Sequence, residues 1–278
     1  MLPFPNAHWY VGGFLFFTLA AFMPSYFAVL PDAPWVHHLH GITATLWIVL
    51  VMTQNWTAHN RQWKLHAWSG IASLALLPLF TMGGLLVTKH TLLSNSPFKD
   101  MFGHALSAAD FFVSFAFVAF YAAALRYRRT PDLHARYMLG TVILLAGPSI
   151  SRFLVNYVPG FLIRSIENLP KFAEALDASF IIASVFCVIL ILRDYRAGKP
   201  ILPFSMALLA TLLMCLSYYM VGEMSIYGRI AEGFSSLASW QISVFALISS
   251  SLVMAWAWKL PISAKGQNNL RGELNAAE

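Results

Sequence analysis

Charge is scarce in this sequence: Asp, Glu, Lys and Arg together make up 11% of 278 residues, where soluble domains carry roughly a quarter. A water-facing α/β enzyme and a nucleic-acid-binding module are thereby excluded. Cysteine is nearly missing too. The two present, Cys187 and Cys215, fall inside apolar runs and behave as small hydrophobes, which excludes a disulfide scaffold. No glycine-rich phosphate loop is present, and no serine or cysteine sits in a nucleophile motif. Flavin and nicotinamide domains are absent by the same token. No Lys or Arg precedes Arg61, so the first apolar run reads as a retained anchor and not a cleaved signal.

Long apolar runs are what the sequence has instead. It is 58% hydrophobic with a mean hydropathy of +0.64, and a helix needs about 20 apolar residues to cross a bilayer. The expected fold is all-α, a polytopic membrane protein of about eight spans: Trp9–Leu30, His40–Asn55, His66–Val87, His104–Leu125, His134–Val158, Leu176–Leu192, Ile201–Gly222 and Leu237–Trp258. Seven is the alternative, because the sixth is short and Pro159-Gly160 precedes it. Residues 1–260 read as one membrane domain, with a bundle over 36–158, accessory helices over 172–260 and a solvated, disordered tail over 261–278. Basic residues fall in alternate loops (Arg61 and Lys64; Arg126, Arg128, Arg129 and Arg136; Arg193, Arg196 and Lys199) and in the tail, which predicts both termini in the cytoplasm.

The nine histidines all precede residue 135. The second to fifth spans each open with one: His40, His66, His104 and His134. Because antiparallel helices alternate, His40 and His104 fall on the outer face, and His66 and His134 on the inner one. In an up-and-down bundle the second and fourth helices are diagonal, as are the third and fifth. His40 is then predicted to face His104, and His66 to face His134. Two neutral imidazoles per iron is the ligation of a low-spin b-type haem, and nearby glycines (Gly41, Gly70, Gly103, Gly140) leave room for a flat ring. His38 competes with His40, since two residues apart on a helix they point nearly oppositely. Each histidine taken alone also fits an interfacial role. His40, Trp47 and Gln54 share one helix face at spacing seven. Asp110 and Arg152 are ionisable residues inside spans and therefore functional candidates; Arg152 has a haem propionate, Asp110 or a lipid headgroup as candidate partners.

The helix opening His66-Ala67-Trp68-Ser69-Gly70 resembles those of ascorbate-reducible, two-haem transmembrane cytochromes b. The order His38-x-His40-Gly41, Trp47, Gln54, His66-x-x-x-Gly70, Arg128-Arg129, His134-x-x-Tyr137-Met138 and Arg152 is similar to bacterial multi-pass proteins of a domain-of-unknown-function family. The first resemblance implies two b haems, on His40 with His104 and on His66 with His134, and electron transfer across the membrane; the second implies a bacterial inner-membrane setting and no activity. The additional helices six to eight, and ligands so near the span ends, depart from the first.

Three functions compete on these residues. A membrane electron carrier would use both histidine pairs, with quinol or a redox protein as partner. A metal-handling protein or membrane hydrolase would hold zinc or copper at one outer site built from His37, His38, His40, His90 and His104, with Asp100 or Asp110. A transporter or structural protein would use the histidines for proton transfer or packing, and the Gly147-Pro148 break in the fifth span favours it.

Overall fold

In a computed structural model, which describes residues 2–260, the chain is all-α, and seven of its helical segments are long and apolar enough to cross a membrane. α1 (Ala7–Phe22) precedes them and is shorter. The spans are α2 (Trp35–His59), α3 (Trp63–Leu93), α4 (Pro97–Arg126), the pair α5 (Pro131–Leu144) and α6 (Ala146–Tyr157), α7 (Lys171–Arg196), α8 (Leu202–Leu216) with a π-turn over Ser217–Val221, and, after the short α9 (Ser225–Ser236), α10 (Ser239–Lys259). Prolines set several starts, where a missing N–H costs nothing: Pro97, Pro131 and Pro203 lie in first turns. At α4 the Ser96 hydroxyl also accepts from the Lys99 amide at 3.2 Å.

Several boundaries differ from the sequence expectation, and the second to fifth spans begin at Trp35, Trp63, Pro97 and Pro131, three to seven residues before the histidines expected to open them. The first apolar run ends at Phe22, not Leu30, because Pro24 and Pro31 break it and Phe27–Asp32 forms only a 3₁₀ turn. The sixth span, expected to be short, runs the full length Lys171–Arg196. The fifth is divided at Leu145: Pro148 has no N–H for the Leu144 carbonyl, and the Leu145 amide bonds back to Val142 O at 3.1 Å. α9 was not expected at all. Residues 261–278, read from sequence as a disordered tail, lie outside the described residues.

α2 to α5 form the expected up-and-down ring, each packing on the next, with α5 returning to α2. Trp47 sits at its centre, fully buried, against Phe80, Phe117 and Tyr121. Its indole N–H donates to Thr141 Oγ1 at 2.9 Å and closes the ring. Around the bundle, α10 packs on α3 and α4, α1 on α2 and α6, and α7 on α6 and α8. Helix direction then defines two ends. One carries Trp35, Leu93, Pro97 and Tyr157 and is called here the histidine end. The other carries His59, Trp63, Arg126, Pro131, Arg196 and Lys259 and is called the basic end.

At the basic end, Arg136 is buried in an ion pair with Asp194: Nε to Oδ2 is 2.7 Å and Nη2 to Oδ1 is 3.1 Å. Arg193 reaches the same carboxylate at 2.8 Å, and Lys199 lies 3.5 Å from Asp132. The Phe4 ring covers both guanidiniums, at 4.9 Å from Arg136 and 4.6 Å from Arg193. The segment Pro3–His8 is pinned further by His59 Nε2 on Pro3 O at 3.0 Å, Asn55 Nδ2 on Phe4 O at 3.0 Å, and the His8 amide on Asn55 Oδ1 at 2.9 Å.

After the π-turn, Gly222 lies directly against the Ala105 backbone in α4, and a Cβ there would collide with Ala105 Cα. Gly222→Ala is therefore expected to cost about 1–3 kcal/mol by overpacking. Chemical denaturation in detergent measures this, and a wild-type midpoint would contradict the close packing.

Candidate functional site

The four helix-opening histidines do not form two equivalent pairs. His40 packs against α3, stacked on Phe80 at 5.2 Å, and its Cα approaches Gly83. A side chain on Gly84 would meet the His40 ring at 3.6 Å and Ser114 Oγ of α4 at 3.9 Å. His40 thus lies level with Ser114, ten residues past His104, or about 15 Å along the helix. His104 is exposed and rests against Gly228 of α9. The outer pair expected from sequence is not assembled. α4 begins at Pro97, and its first turns extend beyond the ring to pack on the π-turn and α9, which carries His104 past His40.

The other two histidines are set up alike. His66 Nδ1 donates to Gln54 O at 3.2 Å, and His134 Nδ1 donates to Ala124 O at 2.8 Å. A neutral imidazole tied this way carries its proton on Nδ1 and presents a bare Nε2, the form that binds metals. Gln54, on the same face as His40 and Trp47, donates to His66 O at 2.9 Å and Ser69 Oγ at 2.8 Å. Its role in positioning the start of α3 accounts for that polar stripe.

At the histidine end, His37 stands edge-on to His90 with ring centres 5.2 Å apart, and Tyr26 OH lies 2.8 Å from His38 Nδ1. Burial raises the Tyr26 phenol above its ordinary value, so it stays protonated and can donate to that nitrogen. His38 thus faces the Tyr26 loop while His40 faces the bundle, resolving which of the two points inward. Among the described residues no three His, Cys, Asp or Glu side chains come together as a metal site. The three-ligand zinc or copper centre expected from His37, His38, His40, His90, His104, Asp100 and Asp110 is therefore not assembled.

The structure does bring together His37, His40 and Arg152. All three line a cavity of about 460 Å³ between α1, α2 and α6, with Tyr26, Asn156 and Thr18 as further polar neighbours and Phe22, Phe27, Phe98 and Phe172 as aromatic walls. The Nδ1 atoms of His37 and His40 are enclosed and have no hydrogen-bond partner among the described residues. Arg152 makes no hydrogen bond or ion pair among the described residues; its guanidinium faces the Phe172 ring at 5.3 Å and Phe98 at 6.0 Å. The expected pairing with Asp110 is not made. Asp110 instead accepts from Thr88 Oγ1 at 3.1 Å and acts on Arg152 only at longer range.

No family model, curated protein or solved structure matches the chain. The functional reading therefore rests on side-chain geometry. Sequence reasoning missed the cavity and the buried Arg136–Asp194 pair. The four-residue spacing of Asp132 and Arg136, which bond at 3.0 Å, signals only that local pair; nothing in the spacing points to Asp194.

Proposed function

We propose that the protein is a membrane-embedded binding protein for amphiphiles with an oxyanion head group, carboxylate or phosphate, held in the cavity of His37, His40 and Arg152. One observation carries this reading: the Arg152 guanidinium lines an intramembrane cavity without an acceptor among the described residues. Unpaired charge is costly in a bilayer, and aromatic faces offset that cost only in part. A guanidinium fork matches an oxyanion with two parallel hydrogen bonds. The phenylalanines suit an apolar tail, and the volume falls among small-molecule sites, about 300–1,000 Å³. With basic residues cytoplasmic in a bacterial inner membrane, the cavity belongs to the outer leaflet.

The test is displacement of a dansyl-labelled fatty acid from detergent-purified protein by oleate, phosphatidylglycerol and oleyl alcohol. Either acid should displace the probe, the better one naming the source, while the alcohol should be weaker. Arg152→Gln should weaken binding about 10- to 100-fold, the size of a lost charge-assisted pair. Equal binding of acid and alcohol, or an unaffected Arg152→Gln, would overturn the reading.

A second reading is favoured by the matched Nδ1 bonds of His66 and His134: one b-type haem between them, with quinol or a redox protein as electron partner. Arg152 lies 18 residues from His134, about 27 Å along α5 and α6, and is not placed to meet that haem's propionates. An oxidised-minus-reduced absorption spectrum from haem-supplied cells decides it. An α band lost in both His66→Ala and His134→Ala would support haem, and a flat spectrum would remove it.

A further inference from the structure

A second cavity, about 640 Å³, lies on the other side of the contact between α1 and α6. α1 packs on α2 and α6 but diverges from α7, leaving a trough floored by α5 and α6. Its walls are apolar, with Tyr10, Phe14 and Phe17 of α1 facing Ile182 and Phe186 of α7. Its one charged lining residue is Arg193, at the basic end beside Phe4. From Ile182 to Arg193 it runs about 16 Å, half the hydrocarbon core. The Arg193 side chain is 46% exposed, and its Nε and Nη2 both bond to one oxygen of Asp194, leaving Nη1 as a donor.

The wall between the cavities is one side-chain layer thick. On α1, Phe17 lines one cavity and Thr18 the other; on α6, Ile150 and Arg152 are similarly divided, about 3 Å apart along the axis. The wall consists of the Thr18–Ser149 hydroxyl contact at 3.0 Å and the Phe17–Phe153 ring contact at 4.9 Å. α6 has the means to move. α6 starts afresh after the break at Leu145, so it can tilt without breaking the hydrogen bonds of α5. α1 is fixed at both ends, by the His8 amide on Asn55 Oδ1 and by Asn156 on Ala21 O and Tyr157 on Ala20 O, so a tilt of α6 is what would part the two helices. Broken helices beside a cationic site are also how membrane proteins pass polar groups across the bilayer.

We propose that the two cavities are halves of one passage, along which an oxyanion head group moves between Arg152 and Arg193 while its tails stay in the bilayer, with the α1–α6 contact as the gate. This rests on the oxyanion site proposed above and adds transfer between leaflets to binding. Both cavities are partly open to the surroundings, as tails left in lipid require.

The experiment reconstitutes the full chain in vesicles of phosphatidylcholine and phosphatidylglycerol carrying a trace of NBD-phosphatidylglycerol, and bleaches the label with dithionite. Protein-free vesicles lose the outer-leaflet half of the signal. Wild type should allow nearly all of it to bleach. The double variant Thr18→Cys/Ser149→Cys has its new thiols within disulfide reach; it should return to the half value when oxidised and to the wild-type value when reduced. Single-cysteine variants control for Cys187 and Cys215. The reduced form also reports folding, and Ser149→Ala, which removes the hydroxyl contact, should bleach faster than wild type as a variant independent of disulfide chemistry. Dansyl-fatty-acid binding on the same samples separates the two ideas. Binding intact with half bleaching in wild type overturns the passage and leaves the Arg152 site. Unchanged bleaching in both the oxidised double variant and Ser149→Ala overturns the gate. No binding in wild type overturns both proposals.

Discussion

Asp194→Ala is expected to lower the unfolding free energy by about 3–5 kcal/mol, the largest loss of any single charge in this chain. Arg136 and Asp194 side chains are each 2% exposed and share two hydrogen bonds. Taking away the carboxylate leaves a buried guanidinium whose remaining anionic partner, Asp132, is more than one-third exposed. The cost therefore lies in the stranded charge and not in the value of the pair. Removing both charges should do less damage: Arg136→Met/Asp194→Leu should lie well above the single variant, since buried pairs replaced by apolar residues are often close to neutral. Arg193→Gln should cost under about 1 kcal/mol, because Arg193 is half exposed and Asp194 keeps Arg136. Denaturant titration of the detergent-solubilised variants gives all three values. A single variant as stable as the double would mean that the pair is hydrated.

Trp47→Ala should cost about 3–5 kcal/mol. In a bilayer the lipid tails are as apolar as the core, so this loss is not one of hydrophobic transfer; it is the loss of packing around the largest fully buried side chain in the bundle. Phe80, Phe117 and Tyr121 would be left facing a void. Trp47→Phe keeps most of the ring and loses the indole donor to Thr141, whose own hydroxyl still donates to Met138 O at 2.6 Å, so it should cost about 1 kcal/mol. Near-equal losses in the two variants would show that the hydrogen bond and not the packing dominates.

Hydropathy made the spans and the ring of α2 to α5 legible, because a run of about 20 apolar residues has few other uses. The direction of each helix followed, and the structure gathers the loop basic residues at one end as expected. Depth was not legible. Aligning His40 with His104 assumed that every span starts at one level, whereas α4 opens seven residues before its histidine and extends past the ring. α9 escaped notice because its apolar face, Tyr227, Ala231 and Phe234, is too short for a span and is interrupted by Gly228 and Gly233. Arg136 looked like one more loop cation, since burial depends on Asp194, a partner 58 residues away. Arg152 was legible as an ionisable residue inside a span. Its cavity was not, because that depends on how α1 leans between α2 and α6.

The pinning of Pro3–His8 orders the assembly of the molecule in time. This stretch is synthesised before all of its partners: Asn55 and His59 come with α2, Arg136 with α5, Arg193 with α7, and Phe204, which meets Phe4 edge-on at 6.1 Å, with α8. Residues 3–8 are thus a keystone set late. Until α8 has been inserted, the Phe4 ring that covers the two guanidiniums lacks its Phe204 neighbour, and a chain released before that point would leave residues 3–8 unfastened for quality-control proteases to recognise.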